Sequence, residues 1–101
     1  MSTVYIIKNY KENYIYGIVE HKEEIAPFII FTEVIDIFAD SINGFNITQL
    51  LKCEYKQEKV VEYLKNMSFE LQKIIFENFN IFIAEKEVWS YEEYLHNRVD
   101  K

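Results

Sequence analysis

Cysteine and histidine, which often serve as nucleophiles, proton carriers and metal ligands, are scarce in this chain. It has one cysteine, Cys53, and two histidines, His21 and His96. A thiol and an imidazole that meet in the folded protein could form a nucleophilic pair although they are distant in sequence. Alternatively, Cys53 is a small apolar residue near the inner side of a helix. Neither histidine has a second ligand-type residue at zinc-site spacing, so we expect no metal site.

Carboxylates are plentiful, but their arrangement does not favour catalysis. Glutamates stand close together at three places: Glu23 with Glu24, Glu85 with Glu87, and Glu92 with Glu93. Acid and base catalysis needs two carboxylates in different, shielded environments, whereas neighbouring glutamates on amphipathic elements usually face water. The chain has two glycines and one arginine, and so lacks a glycine-rich phosphate loop and an arginine cluster. We expect a protein that is not an enzyme and has no cofactor. The alternative is a small enzyme or nucleotide-derivative binder that uses Cys53 or a carboxylate pair in a pocket.

The net charge of -6 narrows the classes of partner. An acidic surface repels nucleic-acid backbones and anionic membranes, because binding phosphate requires cations. We therefore expect no direct nucleic-acid or membrane binding. The same charge steers the chain toward a larger protein with a basic surface, such as a nuclease. The alternative is that the charge only keeps a small protein soluble.

The first residues predict the compartment. They lack the basic region, apolar stretch and small-residue cleavage site of a signal peptide. A single cysteine gives no support for an oxidising compartment. The longest apolar run, residues 25–32, contains Pro27 and is too short to span a bilayer. We expect a cytoplasmic protein.

Aromatic side chains beside glutamates form the best candidates for a binding surface. The first candidate is the group of hairpin tyrosines, Tyr10, Tyr14 and Tyr16. The second is the C-terminal segment, residues 85–94, with these candidate residues: Glu85, Glu87, Trp89, Tyr91, Glu92, Glu93 and Tyr94. Tyrosine and tryptophan often anchor protein interfaces, and carboxylates around them complement a basic partner. The alternative is that Trp89 and Tyr94 close the domain's own core while the glutamates solvate its rim.

The elements that must position these residues begin with a hairpin. β-Branched and aromatic runs at residues 3–8 and 14–20 flank a polar stretch, which predicts two antiparallel strands. Alternation in the second strand places Ile15, Gly17 and Val19 on one face, and Tyr14, Tyr16, Ile18 and Glu20 on the other.

A helix is predicted next, from Pro27 to Ile42. Apolar residues recur every three or four positions, and Gly44 stands just beyond the end as a stop signal. A short buried strand at residues 28–32 is the alternative. Residues 46–53 are ambiguous.

The second half of the chain predicts further helices and one strand. A helix over residues 55–66 presents Val60, Val61, Leu64 and Met67 on one side. Ser68 resembles the N-cap of another helix, whose predicted apolar stripe is Leu71, Ile74, Ile75 and Phe79. At least residues 81–84 form a buried strand against the hairpin. Ser90 and Glu93 match a capping box, which predicts a helix from Tyr91 to about Asn97.

These elements predict a single α+β domain over residues 1–101, with a small, mainly antiparallel sheet packed against three to four helices. In size, acidity and aromatic content the chain resembles many inhibitors carried by phages and other mobile elements, immunity proteins and antitoxins, although no shared motif is involved. We expect an acidic protein-binding module that inhibits or regulates its partner, of the anti-defence or immunity type. A structural homodimer subunit is a further alternative.

Overall fold

A computed structural model describes residues 2–97 of the chain and confirms the predicted α+β class. Its main sheet contains β1 (Ser2–Asn9), β2 (Ile15–Val19) and a late strand, β5 (Ile81–Val88). These strands are antiparallel, in the spatial order β2-β1-β5. A second small sheet pairs β3 (Ser41–Ile42) with β4 (Phe45–Asn46).

Five α-helices accompany the sheets within the described residues, one more than the upper number predicted. A single 3₁₀ turn at Lys22–Glu24 leads into the first of them. The helices are α1 (Ile25–Phe31), α2 (Ile47–Leu51), α3 (Gln57–Lys65), α4 (Phe69–Glu77) and α5 (Tyr91–Asn97).

The predicted N-terminal hairpin is confirmed, but its second strand contains a bulge. The pairing of β1 with β2 passes from Ile7 opposite Gly17 directly to Lys8 opposite Ile15, which leaves Tyr16 as the extra residue. A bulge interrupts the alternation of side chains. Ile15 therefore lies on the same face of the sheet as Lys8, and its predicted place beside Gly17 and Val19 is wrong.

The predicted helix from Pro27 to Ile42 is also wrong in its second half. α1 ends at Phe31, and Glu33 takes a left-handed φ of 57°. The Val34 amide then donates to the Ile29 carbonyl at 3.0 Å, a bond that closes the helix end. The chain continues in turns over residues 32–40, so the spacing of three and four does not continue as a helix.

Gly44 lies in a hairpin turn and does not stop a helix. Asn43 and Gly44 both have positive φ, 49° and 85°, and they join β3 to β4. Two residues with positive φ make the turn that a two-residue hairpin prefers, and Asn-Gly is its strongest sequence signal. This local signal overrides the apolar spacing around it. The ambiguous stretch that follows forms α2, where Asn46 accepts a bond from the Gln49 amide at 3.0 Å.

α3 and the start of α4 confirm the prediction. Val60, Val61 and Leu64 are buried on α3. Ser68 caps α4, because its hydroxyl accepts a hydrogen bond from the Leu71 amide at 3.2 Å.

The predicted stripe on α4 is confirmed only in part, by Ile75 and Phe79, which pack partly against the core. Leu71 and Ile74 are exposed, and the buried residues are Gln72 and Phe76. Phe69 and Phe79, three residues to either side of that pair, pack partly against the core. Apolar residues occupy two sides of this helix, so their spacing alone does not show which side faces the sheet.

The helices cover one face of the main sheet and leave the other open. On the covered face Tyr5, Ile7, Val19, Ile81 and Ile83 are buried. The tip of the Phe28 ring lies directly on Gly17, where a Cβ atom would stand only 2.3 Å from Phe28 Cζ. This close approach brings α1 against β2.

The ladder between β1 and β5 is longer than the helical layer. Beyond Tyr5 and Ile83 the side chains of residues 2–3 and 85–88 are exposed, and α5 follows them. The radius of gyration is 16.2 Å and the extents are 58 × 27 × 21 Å, whereas a compact chain of this length has a radius near 13 Å. We call residues 2–4 and 85–97 the arm, and the remaining described residues the body.

Candidate protein-binding surface

The hairpin tyrosines occupy three different environments. Tyr10 is 73% exposed and its ring centroid lies 6.2 Å from that of Phe82. Tyr14 is also exposed and meets Tyr16 edge to face, with 5.3 Å between centroids. Tyr16 packs partly against the core, and its hydroxyl accepts a hydrogen bond from Asn9 Nδ2 at 3.0 Å. Tyr10 and Tyr14 are therefore available to a partner, while Tyr16 supports the hairpin.

The aromatic residues of the C-terminal segment lie on the arm and outside the core. Trp89 is 46% exposed, Tyr91 75% and Tyr94 51%. Tyr91, Tyr94 and the exposed Leu95 stand three and four positions apart, so they share one side of α5. The Glu93 amide donates to the Ser90 hydroxyl at 3.2 Å, which caps the helix start. The arm thus presents an aromatic surface that does not close the domain's core.

Carboxylates surround that surface. Glu85, Glu87 and Glu92 are exposed and Glu93 is half-buried. Lys86 is the only basic residue among positions 85–95. Among residues 2–97, Glu85, Glu87 and Glu92 form no ion pair. These three carboxylates make the arm locally acidic.

The structure does not bring the two predicted groups together. Ser2 pairs with Val88 beside the C-terminal segment, and Asn9 pairs with Ile81 beside the hairpin tyrosines. Seven residue steps along β1 separate these ends, which is roughly 23 Å. One small partner surface could contact both groups only by lying along the sheet.

An apolar sheet face between the two groups was missed in the sequence. Ile15 and Ile18 are exposed on it, and Ile6 and Phe82 are half-buried. Lys8 Nζ lies 5.5 Å from the centroid of the Phe82 ring. A signal was present, because residues 4–7 are apolar at consecutive positions, as in strands that are covered on both faces. Within residues 2–97 no helix covers this second face.

The concavity beside Cys53 contains no histidine partner for its thiol. Cys53 is half-buried, and burial, together with the charge of Glu54, raises the pKa of its thiol. A raised pKa keeps the thiol protonated and weakly nucleophilic at neutral pH. A shallow concavity beside it is lined by Lys52, Lys59 and Tyr63, among others, and by neither histidine.

The described residues contain neither a cluster of metal ligands nor a membrane-spanning helix. In the part of the chain that the structure describes, no three His, Cys, Asp or Glu side chains cluster as metal ligands. None of the helices within residues 2–97 is long and apolar enough to cross a bilayer.

The candidate surface is therefore the arm, with its exposed aromatic side chains and the exposed carboxylates of Glu85, Glu87 and Glu92. Comparison of the chain with protein-family models, curated proteins and solved structures gave no match.

Proposed function

We propose that this protein is a non-enzymatic, acidic protein-binding module that inhibits or regulates a larger partner with a basic surface, such as a nuclease. One observation carries the proposal: Trp89, Tyr91 and Tyr94 are exposed together on the arm and are flanked by glutamates. Large aromatic side chains in this position contribute little to the core, so their value lies in what they contact outside it.

The two kinds of side chain on the arm have different roles in such binding. Tyrosine and tryptophan anchors dominate the free energy of many interfaces, because they bury a large area with few rotatable bonds. Glutamates at the rim act mainly on the rate of encounter, since they attract a basic surface before contact. The arm therefore combines an anchor with an electrostatic guide.

The more specific proposal is an inhibitor of the anti-defence or immunity type, carried by a phage or another mobile element. Its support is the combination of small size, acidity and aromatic content. An acidic inhibitor of a nuclease would act by occupying the basic groove in which the nucleic-acid backbone binds.

The experiment begins with capture of partners by the immobilised full-length protein and by a Tyr91→Ala variant. Tyr63→Ala is the matched control, because Tyr63 is exposed on α3 in the body. We expect a partner that binds the wild type and the control, and that Tyr91→Ala releases faster at a cost of about 2 kcal/mol. The purified partner's activity should fall when this protein is added.

Charge variants separate steering from anchoring. Glu87→Lys with Glu92→Lys should slow association with the partner and flatten its dependence on ionic strength. Glu20→Lys with Glu58→Lys makes the same change in net charge on the body and should act less. A partner that binds all variants with equal kinetics, or whose activity is unaffected, would contradict the proposal.

A homodimer subunit is the second candidate function, and the open sheet face favours it. Ile15 and Ile18 are exposed there beside half-buried apolar neighbours. A twofold dimer would cover the face with its own copy. Static light scattering at tens of micromolar distinguishes the homodimer from the partner-binding module. A monomeric mass would exclude the homodimer and leave partner binding through the arm as the function.

A further inference from the structure

The outer edge of β5 is a regular, unpaired strand edge. β5 pairs with β1 on one side only, and the sheet order places nothing on its other side within residues 2–97. Alternate residues of Ile81–Val88 therefore direct backbone N–H and C=O groups away from the sheet. Such an edge is a template for a further strand.

The opposite edge of the same sheet is protected in ways that β5 is not. β2 has five residues and contains a bulge, and both features discourage strand addition. β5 has eight residues, contains no proline and pairs with β1 without a shift in register. Within residues 2–97 the protection of this edge is charge, at Glu85, Lys86 and Glu87.

The charges on β5 are sorted by face. Glu85 and Glu87 share the face of Ile81 and Ile83, at the level where the helical layer has ended, and both are exposed. The opposite face of the strand carries Phe82 and Ala84 among others. A neighbouring strand would meet carboxylates on one face, and Phe82, Ala84 and the single charge of Lys86 on the other.

We propose that the partner docks by adding an extended segment to the outer edge of β5, with lysine or arginine at alternate positions beside Glu85 and Glu87. This proposal rests on the proposed function, because it names the recognition mode for the basic partner. Backbone bonds along the edge supply affinity, and the carboxylates select a basic segment. Opposite charges on neighbouring strands stabilise pairing, whereas like charges weaken it.

The same charges disfavour a second copy at this edge. A twofold axis pairs two β5 strands antiparallel, with the register centred on one residue. Centring on Glu85 places it opposite itself, and centring on Lys86 places that lysine opposite itself and Glu85 opposite Glu87. Centring on Ala84 places Glu85 opposite Ile83. Registers centred on Glu85 or Lys86 therefore oppose like charges, and the register centred on Ala84 gives Glu85 no opposite charge, so a basic segment fits better.

The test uses the whole chain and a peptide about as long as β5, in which lysine alternates with valine or threonine. Both ends of the peptide are capped so that they carry no charge. The matched control peptide has the same composition with its lysines in one block. Amide hydrogen exchange measured by NMR should slow about tenfold at every second residue of β5 when the alternating peptide is bound. The control peptide should leave the exchange rates of these amides unchanged.

Two variants test the charge selection. Glu85→Gln with Glu87→Gln should weaken binding of the alternating peptide about fivefold, the effect of two modest cross-strand ion pairs. Lys86→Gln, on the other face, should not weaken it. Circular dichroism shows whether each variant remains folded. Hydrogen exchange on the wild type tests the docking mode even if a variant does not fold.

Several outcomes would overturn the docking mode. These are no binding of the alternating peptide, equal binding of the two peptides, or protection confined to α5. The proposed function is tested separately with the captured partner: if Tyr91→Ala releases it but β5 amides in the complex gain no protection, the edge proposal is wrong and the function stands. If no partner depends on the arm, the function itself is wrong.

Discussion

The body and the arm share one hydrogen-bonded ladder but differ in what covers it. β1 and β5 pair without a shift in register from Asn9 opposite Ile81 to Ser2 opposite Val88. In the body the inward side chains, such as Ile7 and Ile83, are buried under helices, whereas the equivalent positions on the arm are exposed. Backbone pairing extends beyond the hydrophobic layer, so the two regions should differ sharply in how much each side chain stabilises the fold.

The largest expected difference separates Phe76 from Trp89. Phe76 is fully buried, so Phe76→Ala should lower the free energy of unfolding by about 3–5 kcal/mol. Trp89→Ala should lower it much less, by about 1 kcal/mol, because about half of the residue is exposed to water. Urea denaturation followed by far-ultraviolet circular dichroism measures both variants. Tryptophan fluorescence cannot be used for both, because Trp89 is the only tryptophan and one variant lacks it. Equal losses would mean that the arm belongs to the core.

A smaller effect is expected where α1 meets the sheet. Gly17→Ala places a methyl group against the tip of the Phe28 ring and should cost about 1–2 kcal/mol, because the ring must move. Adding Phe28→Leu removes the ring, so the double variant should lose less than the sum of the two single losses. Strict additivity in the same urea experiment would show that this contact does not set the position of α1.

Two serine caps compare the regions at the same kind of bond. Ser68 and Ser90 each accept a backbone hydrogen bond of 3.2 Å at a helix start. Ser68→Ala should cost about 1 kcal/mol of global stability. Ser90→Ala should leave the urea midpoint unchanged and lower only the helicity of α5, seen in carbon-13 NMR shifts of its residues. A shifted urea midpoint in Ser90→Ala would contradict the separation of arm from body.

The smallest effect concerns the thiol in the body. Burial and Glu54 raise the pKa of Cys53 in the folded protein, so the native thiol should be alkylated more slowly than an ordinary thiol and reach half its maximal rate at a higher pH. The folded state binds the thiol proton more tightly than the unfolded state does. The resulting contribution to the free energy of unfolding is therefore fully present below the ordinary thiol pKa. It is lost as pH rises through the raised value.

Iodoacetamide rates across pH, native and in urea, measure this shift. Glu54→Gln should move the native profile part of the way back, and Trp89→Ala should leave it in place. A native profile equal to the unfolded one would contradict the assigned burial of Cys53.

Local signals in the sequence predicted much of the fold. The N-terminal hairpin, the buried side of α3, the Ser68 cap, the late strand and the start of α5 follow from alternation, spacing and capping residues. The failures occur where two signals compete. Around residues 32–44 the Asn43-Gly44 turn overrides apolar spacing, and on α4 two apolar sides compete for one buried face.

The exposure of the candidate site depends on lengths that spacing alone does not give. An eight-residue strand spans about 26 Å, whereas the nine-residue helices α3 and α4 are each about 14 Å long. Even when aligned with the strand, one such helix covers about half of it. The candidate residues could therefore be chosen by type, but the position of Trp89 and Tyr94 outside the core required the tertiary structure.

The elongated shape affects how the size of the molecule appears in solution. A compact chain with a radius of gyration of 16.2 Å would contain roughly twice as many residues as this one. The monomer should therefore elute somewhat earlier from a gel-filtration column than a compact globular protein of the same mass. Its slow tumbling about the short axes should likewise broaden NMR lines unevenly, according to the orientation of each N–H bond.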